Sequence, residues 1–385
     1  MNSDTSTRGL RRSADEAISS TPADKRPRLE ISPLEKCPEE ILLKIWSYLI
    51  EIDLARTSAV SKKFNILSND ASLWKKLYQD VFEYQTPLYH PSPTVFVFRD
   101  LSAWDRSVEN PWKESFRQLY SAVHVRPGSR IYKRKGRKIV HKKTIKDALK
   151  HCETETRGEK LVIIHTGHYK SSVIVIDSPI QIIGAGGGDP SMIKANVIIE
   201  HHLKTTVVFT EGALNAYIGY CTVKFTSSGQ HLVVAHSSLW VVGGATPVIE
   251  HVVINSLGTD SAPVLVANPN TNPQMRFCTI RDCDEGGIAV HDYASGTFED
   301  CDIARNNDCG VEVEKHANPV FRRCRIHHSH GVGISCRDSG KGHFEQCEIY
   351  ENQLNGIDVS TNANPTIMRC NVFDGVKEGI VVRGK

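Results

Sequence analysis

Long apolar runs are missing from this 385-residue chain. The longest are short pieces such as Val173–Ile176, far below the roughly 18 residues that a helical membrane span needs. The N-terminal residues (MNSDTSTRGLRR) are polar and lack the apolar centre of a secretory leader, so no cleaved export signal is expected. None of the 11 cysteines stands in a CxxC pair, and they are expected as reduced thiols of the cytosol or nucleus. Net charge is small as well, +3 from 47 basic and 44 acidic side chains, so bulk attraction to nucleic acid or anionic lipid is not the leading feature. What is present, 24% charged and 40% hydrophobic residues, is ordinary globular composition at a length that suits about two or three domains.

The small net charge is unevenly spread. Residues 126–150 hold 11 Lys or Arg against a single acid, Asp147, so the remainder of the chain is acidic. A solvated basic linker is the simplest reading; a docking surface for an acidic partner or for nucleic acid are the others. Residues 1–33 have almost no apolar periodicity and read as a disordered basic tail. Within them Arg11-Arg12 and Lys25-Arg26-Pro27-Arg28 are spaced as a two-part nuclear-import signal, so nucleus and cytoplasm are the expected compartments.

From residue 34 to 80 the pattern turns helical. Pro38 followed by Glu39 and Glu40 suits a first helical turn. Ile41, Leu42, Ile45, Trp46, Leu49 and Ile50 then recur at helical spacing over one wide face. Asp53 is placed to cap a second helix holding Leu54 and Val60, and Asn69 or Asp70 a third holding Leu73, Trp74 and Leu77. Three helices this short cannot bury so broad an apolar face between them, so the surplus predicts a partner. Residues 81–143 are expected to be a connector. Its aromatic half, with Tyr89, Phe96, Phe98, Trp104, Trp112, Phe116 and Tyr120, reads as packed structure; the basic segment completes it.

The second half repeats. Cys278, Cys301, Cys324, Cys347 and Cys370 are each 23 residues apart. Ile280, Ile303, Ile326, Ile349 and Val372 follow them in register, as do Gly287, Gly310, Gly333, Gly356 and Gly379. Apolar residues lie two apart in short runs, which is strand spacing, and Gly, Asn, Asp and Pro divide the runs. A 23-residue coil of about three short strands stacked on its neighbours is a parallel β-helix. Less regular coils extend upstream to Lys160. Ahead of them Thr144–Cys152 places Ile145, Ala148 and Leu149 on one helical face, fit to cap the open first coil; the β-helix is expected over 144–385.

Candidate chemistry is sparse. A cysteine column one coil apart forms a line, whereas zinc gathers ligands tetrahedrally, so core filling is expected and no metal or other cofactor is assigned. His327, His328 and His330 fall after Ile326, where a surface turn is expected. Ser329–Ser335 superficially resembles the histidine motif of polygalacturonases, but no adjacent Asp-Asp pair accompanies it to serve as acid and base. Ile182–Asp189 is glycine-rich after a strand, yet it lacks the last spaced glycine of a nucleotide loop, and a turn between coils explains it. No nucleophile–base or P-loop arrangement is found, and no catalytic residue is named.

The segment LEKCPEEILLKIWSYLIEIDLARTSAVSKKFNILSNDASLWKKL resembles an F-box, and with NPWKESFRQLY, HVRPG and the coils that follow, the chain is similar to the F-box only protein 11 family over about residues 34–385. That resemblance implies an α-helical F-box over 34–80 followed by a right-handed parallel β-helix. It implies a non-catalytic subunit of a Skp–cullin–F-box ubiquitin ligase, in which Pro38, Ile41, Leu42, Ile45, Leu49 and Leu54 contact the Skp adaptor and the β-helix holds the target protein. Cullin would be reached through Skp, with no role for a membrane and little for nucleic acid. Cys37 stands where the family usually has Leu. Family members continue through further coils to a zinc finger, so either a fragment or short isoform, or another chain covering the end of the coils, is expected here. The rival readings are a carbohydrate-active β-helix enzyme using His330, and a scaffold without ubiquitin transfer.

Overall fold

A computed structural model describes residues 32–104, 110–127, 139–154, 158–227 and 236–384. The basic clusters at 11–12 and 25–28 and residues 128–138 of the basic segment lie outside the described residues. Helices α1 (Glu39–Trp46), α2 (Glu51–Ser58), α3 (Lys62–Ser68) and α4 (Ala71–Phe82) come first. Asp70 starts α4 as expected, its carboxylate accepting from the Ser72 N–H at 2.8 Å. Two expectations fail. Asp53 lies inside α2, and the second helix does not run on, because Ser61 accepts from the Phe64 N–H at 3.3 Å and opens α3. Val60 therefore sits in the α2–α3 turn and is exposed.

The aromatic connector is packed structure. It forms an antiparallel hairpin, Leu88–Ser92 with Val95–Phe98, and then α5 (Pro111–Leu119), started by the Asn110 side chain accepting from the Lys113 N–H at 3.2 Å. Helix α5 packs its rings on α4: Trp74 meets Phe116 at 5.5 Å, and Tyr78 meets Trp112 at 5.4 Å. The hairpin packs on the coils, with Phe96 against Tyr217 at 4.5 Å and Phe98 against Tyr220 at 5.0 Å. One apolar core therefore runs from Leu42 through the connector to Val359.

The remainder is a parallel β-helix of three sheets with 11, 9 and 9 strands. In one coil Thr297–Glu299 belongs to the first sheet, Asp302–Ala304 to the second and Val311–Val313 to the third. Each pairs with its equivalents one coil away, so identical columns stack: Phe298, Phe321 and Phe344 in the first sheet, and Ile303, Ile326 and Ile349 in the second. The rings of Phe321 lie 4.4 and 5.2 Å from those of Phe298 and Phe344, nearly parallel. Corner residues such as Asp300 and Arg305 take left-handed backbone to turn the chain between sheets. The glycine column is a packing requirement, since a Cβ on Gly333 would stand 2.5 Å from the Gly356 carbonyl oxygen.

The repeating cysteines are free thiols inside the corners between the first and second sheets. The Sγ atoms of Cys278, Cys301, Cys324, Cys347 and Cys370 reach carbonyls of the preceding coil at 3.4–3.7 Å. Helix α6 (Ile145–Thr154) covers the first coil with Ile145, Ala148, Leu149 and Cys152 buried. The first sheet reaches upstream of residue 144, however. Val123–Val125 pairs with Lys160–Ile164 on one side and Val140–Lys142 on the other, so strands flanking the basic segment are rungs of the β-helix. Asp189 caps a short α7 (Pro190–Asn196) after the glycine-rich turn.

Candidate functional site

Helix α1 is apolar around most of its circumference, and one neighbouring surface cannot cover all of it. Its inner face carries Leu42 and Trp46, the latter edge-on to Phe64 at 5.1 Å. Ile41 and Ile45 on the other face, and Tyr48 in the turn just past the helix end, stay in water, with Ile41 50% and Ile45 45% exposed. The ammonium groups of Lys44 and Lys76 lie 5.8 and 5.6 Å from the Tyr48 ring centre and hold it at the surface. Leu34, Val60 and Ile66 are further exposed apolar residues of the helical segment.

The six residues expected to contact an adaptor therefore separate. Pro38, Ile41 and Ile45 are exposed and Leu49 is partly buried. Leu42 and Leu54 are each only 1% exposed and belong to the core of the chain. Tyr48 was missed by the motif comparison; it lies in the turn past the end of α1, where helical spacing does not place it.

At the end of α4, a partly buried ionic cluster fastens the helices to the first coils. Glu83 ends α4 in a left-handed conformation (φ 66°), and its carboxylate pairs with the Arg126 guanidinium and, at 3.3 Å, with His165 Nδ1. Arg126 also donates to the Val81 carbonyl at 3.0 Å. Burial alone would raise the Glu83 pKa, but the His165 hydrogen bond and the Arg126 charge outweigh it and hold it at about 2. Burial pushes His165 below the usual imidazole range; its Nε2 lies 2.7 Å from His124 Nδ1, which continues the network inward. Tyr84, the next residue, donates to the Gly184 carbonyl at 2.9 Å.

The other candidates give no reactive constellation. His330 is exposed, with Asn307 Oδ1 at 2.7 Å from its Nδ1. His327 is not a turn residue as expected; it ends strand Arg325–His327 and stacks on Tyr350 at 4.6 Å, with Asp302 at 3.1 Å. Burial raises the thiols of Cys221 and Cys336 to about 12, which leaves them protonated. Among the described residues no group of three or more His, Cys, Asp or Glu is arranged to hold a metal ion.

Comparison with known proteins agrees with both halves of the molecule. Residues 35–80 match the family described as F-box-like, and residues 205–329 and 263–385 match the right handed beta helix region. The chain joins an F-box-like domain to a right-handed β-helix. It is 38% identical over 291 residues to F-box protein dre-1 of Caenorhabditis elegans, an alignment covering 72% of this chain and 30% of that relative. Among solved structures, it is similar to the A-module of mannuronan C-5 epimerase AlgE6 from Azotobacter vinelandii, at 16% identity and a TM-score of 0.40 over 58% of this chain and 64% of that one. It is also similar to pectin methylesterase PemA from Erwinia chrysanthemi, at 12% identity and a TM-score of 0.38 over 64% and 80%. The uncovered Ile41–Ile45–Tyr48 face lies within the F-box-like domain, and the Glu83 cluster binds that domain to the β-helix.

Proposed function

We propose that the chain is a substrate-recognition subunit of a Skp–cullin–F-box ubiquitin ligase, of the F-box only protein 11 group. The observation that carries this reading is the uncovered face of α1. Pro38, Ile41, Ile45 and Tyr48 leave an apolar surface on a domain whose other side is already packed against its own chain. Covering it with a Skp adaptor removes that area from water, at roughly 25 cal/mol for each Å². Cullin joins through Skp. The chain contributes proximity, holding a target protein at a fixed offset from the ubiquitin-charged enzyme, and performs no bond chemistry itself. The two N-terminal basic clusters support residence in both nucleus and cytoplasm.

Capture by recombinant Skp is the direct test. The Ile41→Asp/Ile45→Asp double variant should fold with an unchanged melting temperature and lose capture. Leu42→Asp, which buries a carboxylate in the core, should lose the fold instead. Undiminished capture by the folded double variant would refute the reading. The carbohydrate-enzyme alternative has less support, because the histidine on which it depends pairs with an amide rather than with an acid.

A further inference from the structure

A second surface breaks the rule of its own column. At the corners between the first and second sheets the backbone is left-handed coil after coil, and Asp300, Arg323, Gln346 and Arg369 occupy four of these positions. Such side chains suit an exposed corner. In the three coils before them the same corner is Tyr220, His251 and Phe277, with φ of 55°, 53° and 55°. Bulky rings are poor choices for this backbone. They stack in a ladder, Tyr220 on His251 at 4.6 Å and His251 on Phe277 at 5.0 Å.

The chain's own packing accounts for only the first of the three. Phe98 of the hairpin lies edge-on to Tyr220 at 5.0 Å, the Tyr220 hydroxyl donates to the Phe96 carbonyl at 3.2 Å, and Tyr220 is 4% exposed. The hairpin stops there. Phe277 is 46% exposed, and between the hairpin, α7 and the ladder lies a groove of about 490 Å³ lined by Val97, Phe98, Pro190, Lys194, His251 and Phe277. That volume is within the usual range for a binding pocket.

The charges around it are asymmetric. Glu250 in the wall is engaged by Arg276 at 2.7 Å and by the Tyr217 hydroxyl at 3.3 Å. Lys194 has no ion-pair partner among the described residues. Burial, with the nearby Lys194 and Arg276 charges, lowers the His251 pKa to about 4, so at neutral pH it stands in the ladder as an uncharged ring. Both faces of His251 are taken up by Tyr220 and Phe277, so the groove offers the edge of the ladder and the exposed Phe277 ring, with an unpaired cation beside them. A nucleic-acid strand would need a cationic track over many nucleotides, whereas here Arg276 is already paired and Lys194 stands alone.

We infer that this groove binds a short extended segment of a target protein, packing an aromatic or proline ring against the exposed Phe277 and the edge of the ladder and placing an adjacent carboxylate or phosphate on Lys194. The inference deepens the receptor reading and rests on it for the identity of the partner as a target. It is tested without the adaptor, so either result can fail alone.

A phage-displayed library of random twelve-residue peptides is panned against the full chain. Enriched peptides should share a ring residue next to Asp or Glu. Their affinity, measured by fluorescence anisotropy, should fall by about tenfold or more on Phe277→Asp and on Lys194→Glu. Phe277→Asp is a fair probe because Asp300 holds the same corner one coil on, and an unchanged melting temperature verifies the fold. Absence of enrichment, peptides that bind both variants undiminished, or tighter binding of a twelve-nucleotide oligo-dT than of any selected peptide would each overturn the inference.

Discussion

The Glu83 cluster predicts how the joint between helices and coils responds to acid. Glu83 has its pKa lowered from 4.5 to about 2 in the folded chain. A tenfold change in proton affinity corresponds to about 1.4 kcal/mol, so this lowering is worth about 3 kcal/mol at neutral pH. The side chain keeps 33% of its exposure, and screening by solvent reduces this to about 2 kcal/mol. A depressed carboxylate pKa stabilises the fold above the unfolded value and loses that contribution as pH falls from 4.5 toward 2. Glu83→Gln keeps the size and the left-handed backbone but not the charge. It should therefore be about 2 kcal/mol less stable than the parent at pH 7, with the gap narrowing as pH drops from 4.5 toward 2. Urea unfolding followed by tryptophan fluorescence reads this region directly, because Trp74 and Trp112 pack at the α4–α5 contact next to the joint. A gap that stays constant from pH 7 to pH 3, or no gap at pH 7, would show that the Arg126–Glu83–His165 cluster does not hold the two halves together.

Two further outcomes follow from the column structure. Phe321→Ala removes a ring stacked on both sides and should lower stability by about 3–5 kcal/mol in urea titration, with a loss below about 1 kcal/mol contradicting the packed column. In native protein, Ellman's reagent should modify the partly exposed Cys37 while Cys301 and Cys324 react only on unfolding; early reaction of the buried pair would show that the coils open.

The β-helix was legible in the sequence because it is nearly one-dimensional. Each 23-residue coil meets the same neighbours, so every interior column repeats a residue type, as in Phe298, Phe321 and Phe344. The F-box-like domain was harder to read in detail. Its helices are held by contacts distant in sequence, and periodicity alone could not divide the apolar circumference of α1 into a core face with Leu42 and an open face with Ile41 and Ile45. The α2–α3 break depended on one local choice, Ser61 capping α3, which competes with simple continuation of the helix. The upstream strand Val123–Val125 was hidden because its neighbour in the sheet, Val140–Lys142, follows across the basic segment, out of step with any repeat. The Glu83–Arg126–His165 cluster had no sequence signal, since its members are 43 and 82 residues from Glu83.

The proposed sites share a logic that follows from this architecture. Interior columns are bound by packing, and a substitution there is felt by the coils above and below. Exterior columns and outer helix faces carry no such constraint, so water decides their composition and polar residues are expected. An apolar residue that persists there needs a cause outside the core. At Tyr220 the cause is the hairpin; at Ile41, Ile45 and Phe277 the described chain supplies none. Departures from the local rule are therefore a better guide to function in this molecule than its strongest pattern, the repeat, which accounts for the fold and is silent about partners. The proposed adaptor face and ring groove are also joined by one continuous core, through α4, α5 and the hairpin, rather than by a tether. A target held on the coils would thus keep a set distance from the α1 face, which is the geometry that proximity-driven transfer requires.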